Sequence, residues 1–301
     1  MIQAKRHKPI WFYYVVLFAG IVCIGWSAVF VKLSAVDGLS SAFYRMFFGF
    51  VGVIPIWLFR RKNISDWTSV KFALISGLIF AFDIAVWNIS ILLTKASIST
   101  LLANLAPVWV GIGSIIFLRE QPGRLFWIGT TVSLIGVSLI VGIEKITAAA
   151  LNTGHILAIV ASLFYATYLL VMRKGRVSLD TVSFTAISMF ASSLLLFGIC
   201  FFTSTPLTGF TTEAWGSLIG LGLISQLGGW LAINYALGYI KSTTASVALL
   251  AQTIVTAVIA LFLLGETLSL IEIVGMIIVL LGIYLVTRKK LMPKTKIDPE
   301  Y

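Results

Sequence analysis

Apolar residues fill ten stretches of this chain, near 11–32, 41–59, 72–92, 97–118, 125–143, 154–172, 181–203, 214–237, 243–264 and 270–287. Charged residues gather in the short gaps between them. Each stretch approaches the ~20 residues that a helix needs to cross a hydrocarbon core. None shows the ~10-residue alternation of a membrane barrel strand. The pattern predicts an all-α integral membrane protein of ten transmembrane helices, spans 1 to 10, with no gap long enough for a soluble domain. The first stretch has a basic flank of Lys5, Arg6 and Lys8. It is too long for a signal-peptide core and lacks an A-x-A-like site after it, so it reads as a retained span.

The pattern also repeats. Residues 85–140 slide onto 231–286 at a constant shift of 146, which lays Asn88 on Asn234, Lys95 on Lys241, Glu120 on Glu266, Gly129 on Gly275 and Gly136 on Gly282. A looser match at a shift of 138 lays Trp26-Ser27-Ala28 over Phe164-Tyr165-Ala166. The predicted domains are a first five-helix repeat over 11–143 and a second over 154–287, followed by a basic tail over 288–301. Five spans is an odd number, so the second half must run through the membrane upside down relative to the first. Inverted repeats of this kind place a site near the bilayer midplane between the halves.

Composition agrees with the pattern: 59% of residues are hydrophobic and 11% charged, against roughly a quarter charged in soluble domains. The net charge is +11, and its placement says more than its size. With the first residue in the cytoplasm, 18 Lys and Arg fall on the inner side and three (Lys32, Lys95 and Lys145) on the outer, leaving Arg45 inside a span. That split predicts a multi-pass protein of the cell inner membrane with both termini cytoplasmic. The basic residues then serve topology and lipid headgroups, and nucleic-acid binding is not expected. The two cysteines, Cys23 and Cys200, lie in separate spans and form neither a disulfide framework nor a metal motif. No cofactor or metal is expected.

Four features together carry a family resemblance. They are the duplicated five-span unit, Arg45 in Ser41-Ala42-Phe43-Tyr44-Arg45, Pro107 followed by an apolar run to Leu118-Arg119-Glu120, and its counterpart from Gln252-Thr253 to Leu264-Gly265-Glu266. Glycines spaced by seven follow each Glu. Over about residues 14–287 the chain resembles the drug/metabolite transporter superfamily, and within it the ten-span EamA family of bacterial exporters. It departs from that pattern with Thr253 where the first half has Pro107, and with Arg119 where a small residue is usual. The resemblance implies carrier-type transport of small organic metabolites, often export, without fixing the substrate. Amino acids or similar zwitterionic compounds lead, ahead of another metabolite or toxic compound. A channel or scaffold is the alternative of a different class. The chain is expected to act as a monomer or homodimer.

Ionisable groups inside a span are functional candidates because they are costly there. Asp83 sits mid-span, ~13–14 Å from either boundary, and must be protonated, paired or hydrated. It is expected either in a cavity touching substrate or a proton, with possible proton coupling, or as a structural acid bonded to another helix. Arg45 lies four residues from the outer end of its apolar stretch, ~6 Å deep. It can snorkel outward or reach inward. The resemblance favours a structural or gating role. Span 3 adds Trp87 and Asn88, while span 8 has Gln226, Trp230 and Asn234 spaced by four on one face. Trp26, Asn104, Tyr165, Tyr168 and Gln252 complete a candidate substrate-binding set. The amides serve equally well as interhelical glue. A central cavity is expected among spans 1, 3, 4, 6, 8 and 9. Spans 5 and 10 carry Gly129-Ser133-Gly136 and Gly275-Gly282 and are expected to pack, not bind. Glu120 and Glu266 are read as helix-start acids complementing the dipole, with ion coupling the lesser reading. Pro107 is expected to kink span 4 and free a carbonyl near Ala103. HExxH, GxSxG and P-loop motifs are absent, which argues against an enzyme or an ATP-driven pump.

Overall fold

The computed structural model describes residues 9–60, 66–93, 96–142, 152–175, 179–263 and 268–288. Ten apolar helical spans run through it: Ile10–Ser34, Gly38–Phe59, Trp67–Ser90, Ser99–Phe117, Arg124–Val141, Thr153–Gly175, Thr181–Phe202, Thr212–Leu237, Ser242–Leu263 and Leu270–Thr287. The protein is an all-α, ten-span membrane protein, and its span bounds lie within a few residues of the apolar stretches. The acidic Glu266 and basic Lys95 fall outside the described residues.

The spans pair in a regular way. Span 3 lies along span 6 and span 8 along span 1; span 7 sits between spans 2 and 3, and span 8 packs on span 2. Spans 4 and 9 touch each other, and spans 5 and 10 form a pair at the side. Small residues bring that pair into backbone contact. A Cβ at Gly129 would lie 2.6 Å from the Gly282 carbonyl oxygen, and one at Gly136 would lie 2.6 Å from that of Gly275. The order of these contacts shows that spans 5 and 10 run antiparallel. Their glycine stripes are therefore used within the chain.

Two polar clusters mark the two membrane faces. On one, Ser40 and Tyr44 at the start of span 2 donate hydrogen bonds to the Pro206 and Leu207 carbonyls of the turn between spans 7 and 8. On the other, Glu120 after span 4 accepts from Arg173 at 2.6 Å and stands 3.8 Å from Lys241. Alternating spans require both groupings. Glu120 thus does not cap the next helix. That helix begins after Gly123 with no side-chain cap, because two cations at other span ends hold the carboxylate. An acid does cap span 10, where Ser269 and Glu272 form a reciprocal capping box.

Several spans are discontinuous. Span 4 does not merely kink. Its helix ends at Ala103 and restarts at Ala106, with Pro107 in the first turn of the new segment, where its missing N–H costs nothing. Span 9 breaks at the equivalent place, between Ala248 and Ala251, without a proline. There the Thr253 hydroxyl donates to the Leu250 carbonyl at 2.8 Å, alongside the Thr253 N–H at 3.1 Å. Span 1 breaks at Trp26, and Thr256 of span 9 bonds the Gly25 carbonyl beside it at 2.8 Å. In span 8, residues Leu221–Gly229 wind as a π-helix.

Candidate functional site

Span 2 starts at Gly38, where the Asp37 carboxylate accepts the Leu39 N–H at 2.8 Å. The helix thus starts three residues ahead of the apolar run. Arg45 is consequently seven residues in, ~10 Å deep, deeper than its apolar stretch suggests. Its side chain turns inward. Nε donates to Gln226 Oε1 at 2.7 Å, and the guanidinium shares an electrostatic environment with Asp83, Tyr165 and Tyr168. Its terminal nitrogens have no hydrogen-bond partner among the described residues.

Asp83 faces the same region from span 3. Asp83 and Arg45 are both half-buried and interact electrostatically, yet no ion pair within 4.0 Å joins them among the described residues. Two ionisable groups of opposite kind, facing one region at depth without an ion pair, form the centre of the site.

An aromatic and amide wall stands beside them. Tyr168 stacks on Phe80 at 4.5 Å between ring centroids, and Trp230 meets Phe80, Tyr168 and Tyr165 edge-on at 4.8, 5.1 and 6.0 Å. Such contacts add roughly 0.5–1.5 kcal/mol each beyond burial. The Tyr168 hydroxyl donates to Asn234 Oδ1 at 3.2 Å, and Asn234 Nδ2 donates to Thr185 Oγ1 at 3.0 Å. A narrow void runs between Met46, Phe80, Tyr168, Gln226, Trp230, Asn234 and the span 7 residues Thr185, Ser188, Met189 and Ser192. It is too constricted in this state for a free water molecule. A wider groove of about 660 Å³ between spans 3 and 7 is lined by residues such as Leu74, Leu78, Phe190, Leu194 and Phe202. Its apolar walls suit acyl chains and offer a polar substrate nothing.

The structure therefore groups Arg45, Asp83, Tyr165, Tyr168, Gln226, Trp230 and Asn234. The void belongs to spans 2, 3, 6, 7 and 8; spans 1, 4 and 9 do not line it. Span 7 was missed because Thr185, Ser188 and Ser192 carry only hydroxyls, which in apolar helices usually bond their own backbone; Ser192 does so with Ser188 at 3.0 Å while also bonding the Gly77 carbonyl at 2.7 Å. Asn88 stands apart: its amide donates to the Gly38 carbonyl at 2.7 Å and ties span 3 to the start of span 2. Trp26 stacks on Phe30 of its own span, at 5.7 Å. Asn104 sits in the break of span 4 and Gln252 just after that of span 9. Trp87 lies one turn beyond Asp83 and is half-buried. The indole Nε1 atoms of Trp87 and Trp230 are both buried without a hydrogen-bond partner among the described residues.

The sequence matches the EamA-like transporter family over residues 11–142 and 152–288. It is 27% identical over 270 residues to an uncharacterized transporter of Archaeoglobus fulgidus, covering 89% of this chain and 93% of that one. Another uncharacterized transporter of that organism is 30% identical over 213 residues, 69% of this chain and 75% of its own. The uncharacterized transporter YdfC of Bacillus subtilis is 20% identical over 264 residues, 86% of each chain. One crystal structure shares the fold with a TM-score of 0.80 at 14% identity, over 93% of this chain and 99% of that one.

Proposed function

Because this chain belongs to the EamA-like transporter family and is a membrane transporter, we propose that it is a secondary carrier of small zwitterionic metabolites, amino acids or close relatives, moved by export or exchange. The observation that supports this most is the unclosed pair of Arg45 and Asp83. An ionised group held at depth costs at least about 2.5–3.5 kcal/mol, and among the described residues neither has a counter-charge in contact. A zwitterion supplies the missing partner to each: its carboxylate to the Arg45 fork, its ammonium to Asp83. The tyrosine and tryptophan rings provide apolar walls for a side chain.

Matched compounds test this. A thermal-shift panel of purified protein should include L-leucine, L-threonine and L-phenylalanine, with their methyl esters and their N-acetyl derivatives. A ligand stabilises the fold by mass action. The zwitterions should shift the melting point more than either single-charge relative. Equal shifts from ester and parent would remove the two-pole reading.

We further propose that the two halves are inverted copies enclosing this site, in an inner membrane, with both ends cytoplasmic. Support comes from spans 5 and 10, equivalent under the shift of 146. Gly129 meets Gly282 and Gly136 meets Gly275, so exchanging the halves turns each contact into the other. The Ser133 hydroxyl bonds the carbonyl of its own counterpart, Val279, at 3.4 Å, as expected beside a two-fold axis. The pairings of span 3 with 6 and span 8 with 1 exchange in the same way.

Asp83 is also the proposed link to protons. Asp83→Asn keeps the shape and removes the titrating group. At substrate concentrations high enough to offset the lost ammonium contact, the variant should still exchange substrate in proteoliposomes but no longer accumulate it after a pH jump. Accumulation at the native level would rule this proton link out.

A further inference from the structure

The geometry points to Gln226 as the positioning residue that sets the Arg45 guanidinium and, through it, the charge preference of the site. This rests on the reading of Arg45 as the carboxylate-binding group. Gln226 is 2% exposed, and its Oε1 accepts the Arg45 Nε–H at 2.7 Å. A guanidinium only donates, so the contact also fixes which way the amide faces. Holding Arg45 by Nε leaves its two terminal nitrogens as a free fork, the geometry that grips a carboxylate with two hydrogen bonds. It also holds the fork short of Asp83, which keeps the two charges from collapsing onto each other.

The local backbone is built around this contact. Gln226 lies within the π-wound segment Leu221–Gly229 of span 8, a form that is rare and concentrates at functional sites. Facing it in span 2 is Gly49, one turn after Arg45, where a Cβ would lie 2.9 Å from Gln226 Cγ. A bare backbone at Gly49 admits the amide to its place. The choice of an amide is itself informative. A carboxylate there would neutralise Arg45 outright, and an apolar residue would leave the buried Nε–H without an acceptor.

The test is a change of selectivity, which lost packing alone does not produce. Gln226→Glu pairs Arg45 internally and leaves Asp83 as the free charge. In the thermal-shift panel this variant should bind the zwitterions at least about tenfold more weakly, as expected for loss of a charge-assisted pair. It should now prefer the methyl esters, which carry only the ammonium. Gly49→Ala, which keeps both residues and only displaces them, should weaken zwitterion binding while leaving the esters unchanged. A uniform loss across the panel with the order preserved would make Gln226 merely structural and overturn the inference. A second readout needs no ligand. Phenylglyoxal modification of Arg45, followed by mass spectrometry, should slow several-fold in Gln226→Glu, and an unchanged rate would also overturn it. Should no zwitterion shift the native protein, the reading of the site fails, and the phenylglyoxal rates still decide the role of Gln226.

Discussion

Arg45→Ala should abolish measurable binding of zwitterionic ligands while the protein stays folded. Among the described residues the guanidinium makes one hydrogen bond, to Gln226, so its removal costs the fold about 1–3 kcal/mol for the unpaired amide and the site its main cation. Truncating one partner of a desolvated charge pair typically costs about 2–5 kcal/mol, and about 1.4 kcal/mol is tenfold in affinity. The low end is already a loss of roughly 30-fold. Arg45→Lys should recover part of the affinity, because it restores the charge without the two-pronged geometry. Thermal-shift titration on monodisperse protein reads both. Full affinity in Arg45→Ala would return Arg45 to a purely structural role.

Gly282→Leu has the largest expected effect on the fold. A Cβ there would stand 2.5 Å from the Gly129 carbonyl oxygen and 2.7 Å from the Ser133 nitrogen, and backbone cannot step aside as a flexible side chain can. Overpacking in a well-filled interior costs about 1–3 kcal/mol and occasionally more, and this contact lies at the severe end. Spans 5 and 10 should separate, with a lower melting point and loss of the monodisperse peak in detergent. Gly198→Leu is the control, since a Cβ at Gly198 has no neighbour within 4 Å. Similar melting points for the two variants would refute the packing account.

The spans were legible because each is an apolar run long enough to cross a bilayer, and the bilayer permits little other than helix there. Spans 5 and 10 were legible for a related reason: small residues spaced by seven, as at Gly129 and Gly136, have few uses besides close helix packing. The breaks were harder. Pro107 announced one in span 4, but Leu249 and Leu250 announce nothing in span 9. The Thr253 hydroxyl adds a second donor to the Leu250 carbonyl there, and residue type alone does not announce it. The candidate site was half legible. Asp83, Tyr165, Tyr168, Gln226, Trp230 and Asn234 stand out as polar or aromatic groups in apolar helices. Which amide meets a ligand and which ties helices was not written in residue type. Asn88 and Gln226 look alike in sequence, yet one bonds a backbone carbonyl and the other orients an arginine. The role of span 7 was hidden because Thr185 and Ser188 differ in no obvious way from hydroxyls that serve their own helix.

Counterflow in proteoliposomes tests most directly that this chain is a carrier working through the Arg45–Asp83 site. Vesicles loaded with unlabelled L-leucine, L-threonine or L-phenylalanine, whichever stabilises the protein most, are diluted into a trace of the same compound carrying a radiolabel. A carrier exchanges one for the other, so label rises transiently above its equilibrium level, and Arg45→Ala vesicles show no such overshoot. Label that only climbs to equilibrium, as through a channel, or that overshoots equally in the Arg45→Ala vesicles, would contradict the account.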